Sequence, residues 1–144
     1  MEARIILMAE DDPRDIELAL LALEEHNLSN AVIVARNGVE ALDYLYCRGT
    51  FSERTPGNPV VVLLDLKMPK ISGLEVLRRV KNDPKLKTIP VVVLTSSKED
   101  RDIVESYQLG VNAYCVKPVA FEKFVAVVKQ LGLFWVLTNE VSPR

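Results

Sequence analysis

The 144-residue chain is poor in the residues on which much familiar chemistry depends: it has one histidine and two cysteines. The histidine, His26, lies in the segment EEHN at the end of a predicted helix. A solvated side chain is expected there, which excludes a Ser-His-Asp relay and a histidine-ligated metal. Cys47 falls in a predicted helix and Cys115 inside a predicted strand, with no CxxC pair. Neither a disulfide framework nor a zinc site is available, and both read as free thiols, Cys115 in the core. The formal net charge is −2, too little of either sign for a general affinity for nucleic acid. Long apolar runs are missing as well. The N-terminal MEARIILMAEDD breaks off in three acids, which fits neither a signal peptide nor a membrane span, so a cytoplasmic location is expected. There are no repeats or low-complexity tracts.

What the chain does have is a regular alternation of short β-rich runs and amphipathic stretches. Strands are predicted over Ile5 to Ala9, Ala31 to Ala35, Val60 to Asp65, Val91 to Thr95 and Ala113 to Val116. Helices are predicted over Pro13 to His26, Gly38 to Cys47, Gly73 to Asn82, Glu99 to Leu109 and Ala120 to Gly132. Pro90 opens the fourth strand and Asn82-Asp83-Pro84 stops the third helix. The segment RGTFSERTPGNP, residues 48–59, has no periodicity and reads as a polar surface loop. Alternation of this kind implies an α/β fold, a doubly wound five-stranded parallel sheet with helices on both faces. In the order 2-1-3-4-5, the crevice lies beyond the carboxyl ends of the first and third strands.

The run VVVLLD is apolar throughout and then ends in a carboxylate, Asp65, an expensive choice at the end of a buried strand unless something uses it. The first strand ends Glu10-Asp11-Asp12-Pro13 and brings further acids to the same crevice. Two carboxylates about 4 Å apart repel by about 4 kcal/mol at an intermediate dielectric. The acids must therefore share protons or bind a cation, and oxygen ligands that leave room for water and phosphate suit Mg²⁺. The run can also be read as a solvated loop with a helix cap. Asp12 before Pro13 fits a cap, which leaves Glu10 and Asp11 for the crevice.

The fourth strand ends in Thr95 and the fifth in Lys117, each unremarkable alone, both at the same edge of the sheet. A nucleophilic carboxylate, acids for Mg²⁺, a hydroxyl and an ammonium are the parts needed to accept a phosphoryl group and hold its oxygens. Asp65 is the expected nucleophile. A flavodoxin-type nucleotide binder would need a hydroxyl- and glycine-rich loop where EDDP stands, and a dehalogenase-type phosphatase would need an Asp where Lys67 stands.

With Glu10-Asp11, Asp65 in LLDLKMP, Gly73 in SGLEVL, Thr95-Ser96 in VVVLTSS and Lys117-Pro118 in AYCVKP, the sequence resembles the receiver domain of two-component response regulators over essentially its whole length. The resemblance implies a flavodoxin-like receiver fold and Mg²⁺ bound directly by Asp11 and Asp65, by Glu10 through water and by the backbone carbonyl of Lys67. It implies a cis Lys117-Pro118 bond and a switch coupling Thr95 to Tyr114, read out on the fourth helix, fifth strand and fifth helix. Glu10 departs from the usual Asp-Asp pair, and Lys67 occupies a position that affects hydrolysis of the acyl phosphate. The protein is expected to be a signalling protein rather than an enzyme with a separate substrate. Its partners would be a histidine kinase, by resemblance a bacteriophytochrome, and a downstream protein, without nucleic acid or membrane. The alternative is a scaffold that kept the fold and works without phosphorylation.

The receiver domain is expected over residues 1–132 and an extension over 133–144, too short for a DNA-binding or catalytic domain. Phe121, Phe124, Val125, Val128 and Leu131 line one stripe of the fifth helix, and Leu133, Phe134, Trp135, Val136 and Leu137 follow it. These side chains can fold back on their own domain or meet a second copy. Aromatic groups that each bury on the order of 150–250 Å² favour the homodimer.

Overall fold

The computed structural model describes residues 5–25 and 32–117, together with positions 123 and 126. Strands β1 (Ile6–Ala9), β2 (Val32–Ala35), β3 (Val61–Leu64), β4 (Val91–Thr95) and β5 (Ala113–Val116) form one parallel sheet in the order β2-β1-β3-β4-β5. Helices α1 (Pro13–Glu25), α2 (Gly38–Leu45), α3 (Gly73–Asn82) and α4 (Asp100–Gln108) connect them. This is the expected doubly wound sheet. The reading of Ala31 and His26, of the Lys117-Pro118 bond, of the fifth helix as a whole and of the tail falls outside the described residues.

Strand alternation sorts the apolar side chains into two layers. Leu7, Ala9, Val62, Leu64, Val91 and Val93 face α2 and α3, where they meet Leu42, Val76, Leu77 and Val80. Ile6, Met8, Val61, Leu63, Val92 and Cys115 face the other way, where Leu23 of α1 joins them. Both faces of β1 and β3 are thus covered, which is why these strands are apolar at every position. Each fully buried Val or Leu contributes about 1.5–3 kcal/mol, so the centre of the sheet is the rigid part of the molecule.

The starts of α1, α2 and α3 are set by side-chain caps. Asp12 accepts from the N–H of Arg14 at 2.8 Å, Asn37 from Glu40 at 2.9 Å and Ser72 from Glu75 at 3.2 Å. The expected cap at Asp12 is therefore present. Helix α2 ends two residues earlier than expected. The N–H of Cys47 donates to the Tyr44 carbonyl at 3.2 Å and that of Arg48 to the Asp43 carbonyl at 2.9 Å, with Cys47 left-handed at φ 53°. That is a Schellman closure, in which Gly is the usual residue. A cysteine there gives no sequence signal, so Cys47 lies just past the helix and not in it.

The 48–59 connection is a surface loop, but it is pinned. Phe51, in a single 3-10 turn (Gly49–Phe51), meets the Tyr44 ring edge-on at 5.1 Å. Arg54 covers the same ring at 4.0 Å and donates to the carbonyls of Tyr44, Thr55 and Gly57 at 2.7, 2.8 and 3.1 Å. Among the described residues no helix is long and apolar enough to cross a membrane.

Candidate functional site

Backbone hydrogen bonds carry the parallel ladder one residue beyond the carboxyl ends of the strands. Glu10 N–H donates to Ala35 at 2.9 Å, Asp65 N–H to Ala9 at 3.0 Å and Lys117 N–H to Thr95 at 2.8 Å. β3 therefore stops at Leu64, and Asp65 stands just outside it, still held by its neighbour strand. This places Glu10, Asp65 and Lys117 along one edge, and Thr95, the last residue of β4, beside them.

Glu10, Asp11 and Asp65 bring carboxylate oxygens within 4.8 Å of one another, with Glu10 and Asp65 buried and Asp11 exposed. Three acids converging in this way suit a hard cation such as Mg²⁺ or Mn²⁺, because the set offers only oxygen and its exposed member leaves room for water. Lys67 is exposed on the following loop, and its N–H donates to Asp65 Oδ1 at 3.3 Å. Asp65 is thus oriented by backbone on its Oδ1 side, while its Oδ2 faces the Lys117 ammonium.

The Lys117 ammonium reaches Asp65 Oδ2 at 3.4 Å, Asp15 Oδ2 at 2.8 Å and, in a short contact, Glu10 Oε1. Burial opposes the charge on Lys117, yet Asp15, Glu10 and Asp65 together raise its pKa above the ordinary lysine value. Glu10 shifts in the direction its burial dictates. Burial first, and then the Asp65 charge, push its carboxyl up to about 7 despite the Lys117 hydrogen bond.

Thr95 is fully buried, and its Oγ1 accepts from the Ser97 N–H at 3.3 Å. Tyr114 is partly buried against the layer that carries α2 and α3, and its hydroxyl donates to the Ser97 carbonyl at 3.0 Å. Thr95 and Tyr114 are thus linked by hydrogen bonds through Ser97. Sequence reasoning missed two residues here. Asp15 looks like an ordinary acid in the first turn of a helix, and Ser97 like an ordinary loop serine; Ser96, singled out in the sequence, is exposed.

Gly73 has a packing reason to be glycine. Its N–H donates to the Leu66 carbonyl at 2.9 Å, and a Cβ on it would overlap the carbonyl oxygen of Asp65. The start of α3 is thereby pressed against the backbone that carries Asp65.

Comparison with known proteins decides the family. The response regulator receiver domain matches residues 6–129. The chain belongs to this family. The response regulator Rcp1 of Synechocystis sp. (strain ATCC 27184 / PCC 6803 / Kazusa) is 37% identical over 135 residues, which cover 94% of this chain and 90% of Rcp1. The solved Mn²⁺-bound form of Rcp1 superposes with a TM-score of 0.78 at 35% identity, over 99% of this chain and all of that one. The bacteriophytochrome response regulator RtBRR is 57% identical, with a TM-score of 0.86 over 99% of this chain and 86% of its own. The phosphorylated cyanobacterial phytochrome response regulator RcpA is 37% identical, with a TM-score of 0.78 over 99% of this chain and all of its own. Receiver-domain response regulators are signalling proteins that bind a divalent cation at an acidic site, and the cluster of Glu10, Asp11 and Asp65 is an acidic cluster consistent with one.

Gly73→Ala should force the Asp65 backbone away from α3, because a carbonyl cannot rotate aside as a side chain can. The expected loss is about 1–3 kcal/mol of stability in denaturant unfolding, with weakened divalent-cation binding. A variant with unchanged stability and unchanged cation affinity would show that the close approach has no role.

Proposed function

We propose that this protein is a response regulator that accepts a phosphoryl group from a histidine kinase onto Asp65 and signals by altered docking to other proteins. The observation that carries the reading is the convergence of Glu10, Asp11 and Asp65 within 4.8 Å, with the Lys117 ammonium among them. An Asp65 oxygen attacks phosphorus, the P–N bond to the kinase imidazole breaks, and an acyl phosphate forms. Asp11 and Asp65, with Glu10 through water and Lys67 through its carbonyl, would hold Mg²⁺, which would supply neutralisation of charge on a phosphoryl oxygen. Lys117 moves from its carboxylate partners to a second oxygen, and Thr95 donates its hydroxyl to a third.

The similarity to RtBRR and RcpA supports a phytochrome histidine kinase as the partner. Signalling runs from Thr95 to Tyr114 and on to the surface of α4 and β5, together with the predicted fifth helix. Residues 1–132 form the receiver unit and residues 133–144 a dimerisation extension, for which the apolar run Leu133 to Leu137 is the support.

A small phosphodonor such as acetyl phosphate, given with Mg²⁺, should add one phosphoryl mass to the protein and none to Asp65→Asn, which keeps the fold. Chelating the cation should abolish the addition. Label persisting on Asp65→Asn would remove Asp65 from its role, and no label on the native chain would leave the phosphorylation-independent scaffold. For the extension, sedimentation should show a dimer at micromolar concentration that Trp135→Ala or deletion of residues 133–144 weakens. A native chain that sediments as a monomer in both phosphorylation states contradicts the dimer alone.

A further inference from the structure

Helix α4 is held differently from its neighbours. α2 buries five residues and α3 four, but α4 buries only Ser106, whose hydroxyl has no hydrogen-bond partner among the described residues. Its outer face carries Val104 and Tyr107, both about half exposed. Little apolar surface therefore fixes α4 to the sheet on the described side. Its start lacks the usual anchor too: Glu99 occupies the N-cap position and makes no side-chain cap.

Ser97 supplies what is missing. Its Oγ donates to Asp102 Oδ2 at 2.6 Å and lies 3.4 Å from the Glu99 N–H, from which it accepts. In a capping box the acid at the third helical position reaches back to the N-cap N–H itself. Here Asp102 holds that position, and the Ser97 hydroxyl stands between the two as a relay. The same residue accepts the Tyr114 hydroxyl on its carbonyl and donates its N–H to Thr95 Oγ1. Ser97 itself is almost fully buried, 4% exposed, so water does not compete for these bonds.

We infer that Ser97 is a positioning residue that latches the start of α4, through Asp102, to the Thr95–Tyr114 pair. Three parts that a signal has to move relative to one another meet at one residue. The backbone of Ser97 follows Thr95 and Tyr114, and its side chain carries α4. A displacement of Thr95 toward an incoming group then shifts the Ser97 backbone, strains or breaks the hydroxyl relay and frees a helix that has little apolar contact to hold it. The signalling consequence rests on the receiver reading above; the latch itself does not.

Ser97→Ala removes the relay and leaves the backbone bonds to Thr95 and Tyr114 in place. Amide hydrogen exchange of the full chain, read by NMR, should speed up about tenfold in the first turn of α4 in Ser97→Ala and in Asp102→Ala. The double variant should show no more than either single one, and Ser97→Thr, which keeps the hydroxyl, should restore slow exchange. With acetyl phosphate and Mg²⁺ added, the displacement of α4 amide shifts should fall to less than half its native size in Ser97→Ala, because the helix is already released. Native exchange rates in Ser97→Ala, effects that multiply in the double variant, or an undiminished displacement would each overturn the latch. Should Ser97→Ala not fold, Asp102→Ala reads the same bond from its partly exposed end. A native chain that takes up no phosphoryl group would sink the receiver reading, while the exchange rates would still decide the latch.

Discussion

The site depends on one ammonium set among carboxylates. Lys117 comes from the edge of the sheet, Glu10 and Asp65 from its centre and Asp15 from α1, so this cation ties the sheet to α1 at a single point. Without it, acids a few ångströms apart would repel by about 4 kcal/mol per pair at an effective dielectric of about 20. With it, the cluster is still short of positive charge, because one ammonium faces Glu10, Asp15 and Asp65 while Asp11 stands beside them. Glu10, whose carboxyl is pushed up to about 7 by burial first and by the Asp65 charge after it, lies inside this cluster. A site of this kind is stable enough to preform and deficient enough to draw in a divalent cation.

The fold makes that arrangement possible by being most deeply buried where the acids are and less so at α4. β1 and β3 are buried on both faces and carry the carboxylates, and Gly73 presses α3 onto the backbone of Asp65. At the other edge, α4 buries one serine and begins without a cap. On the proposed reading, chemistry at the buried centre and movement at the less buried edge fall to different parts of the fold. Thr95 belongs to both, since it is fully buried at the end of β4 and hydrogen-bonded to the loop that leads into α4.

Much of this was legible in the sequence. Continuous apolar runs separated by helical periodicity imply a parallel sheet, and an acid at the end of such a run points to a crevice, so the sheet and the strand-end positions of Glu10, Asp11, Asp65, Thr95 and Lys117 followed from pattern, while the strand order came with the resemblance to receiver domains. What pattern could not show were contacts between residues far apart in the chain. Asp15 is 102 positions from Lys117, and in isolation an acid in a first helical turn is accounted for by the helix dipole. Ser97 carries its information in the direction of its hydroxyl, which composition does not encode. The early end of α2 was hidden because Cys47 takes a left-handed conformation that sequence reasoning reserves for Gly or Asn. The 48–59 loop concealed its order in a similar way, since Phe51 and Arg54 meet Tyr44 through side-chain stacking that has no period.

Lys117 is the resident counter-charge of the site, and cation affinity measures that directly. Mn²⁺ binding to the unphosphorylated protein, followed by the loss of the free-ion paramagnetic resonance signal, should be compared between the native chain and Lys117→Met. Removing the ammonium leaves Glu10, Asp15 and Asp65 without their shared partner, so the variant should bind Mn²⁺ about tenfold more tightly. Equal or weaker binding by a folded Lys117→Met protein would contradict the account.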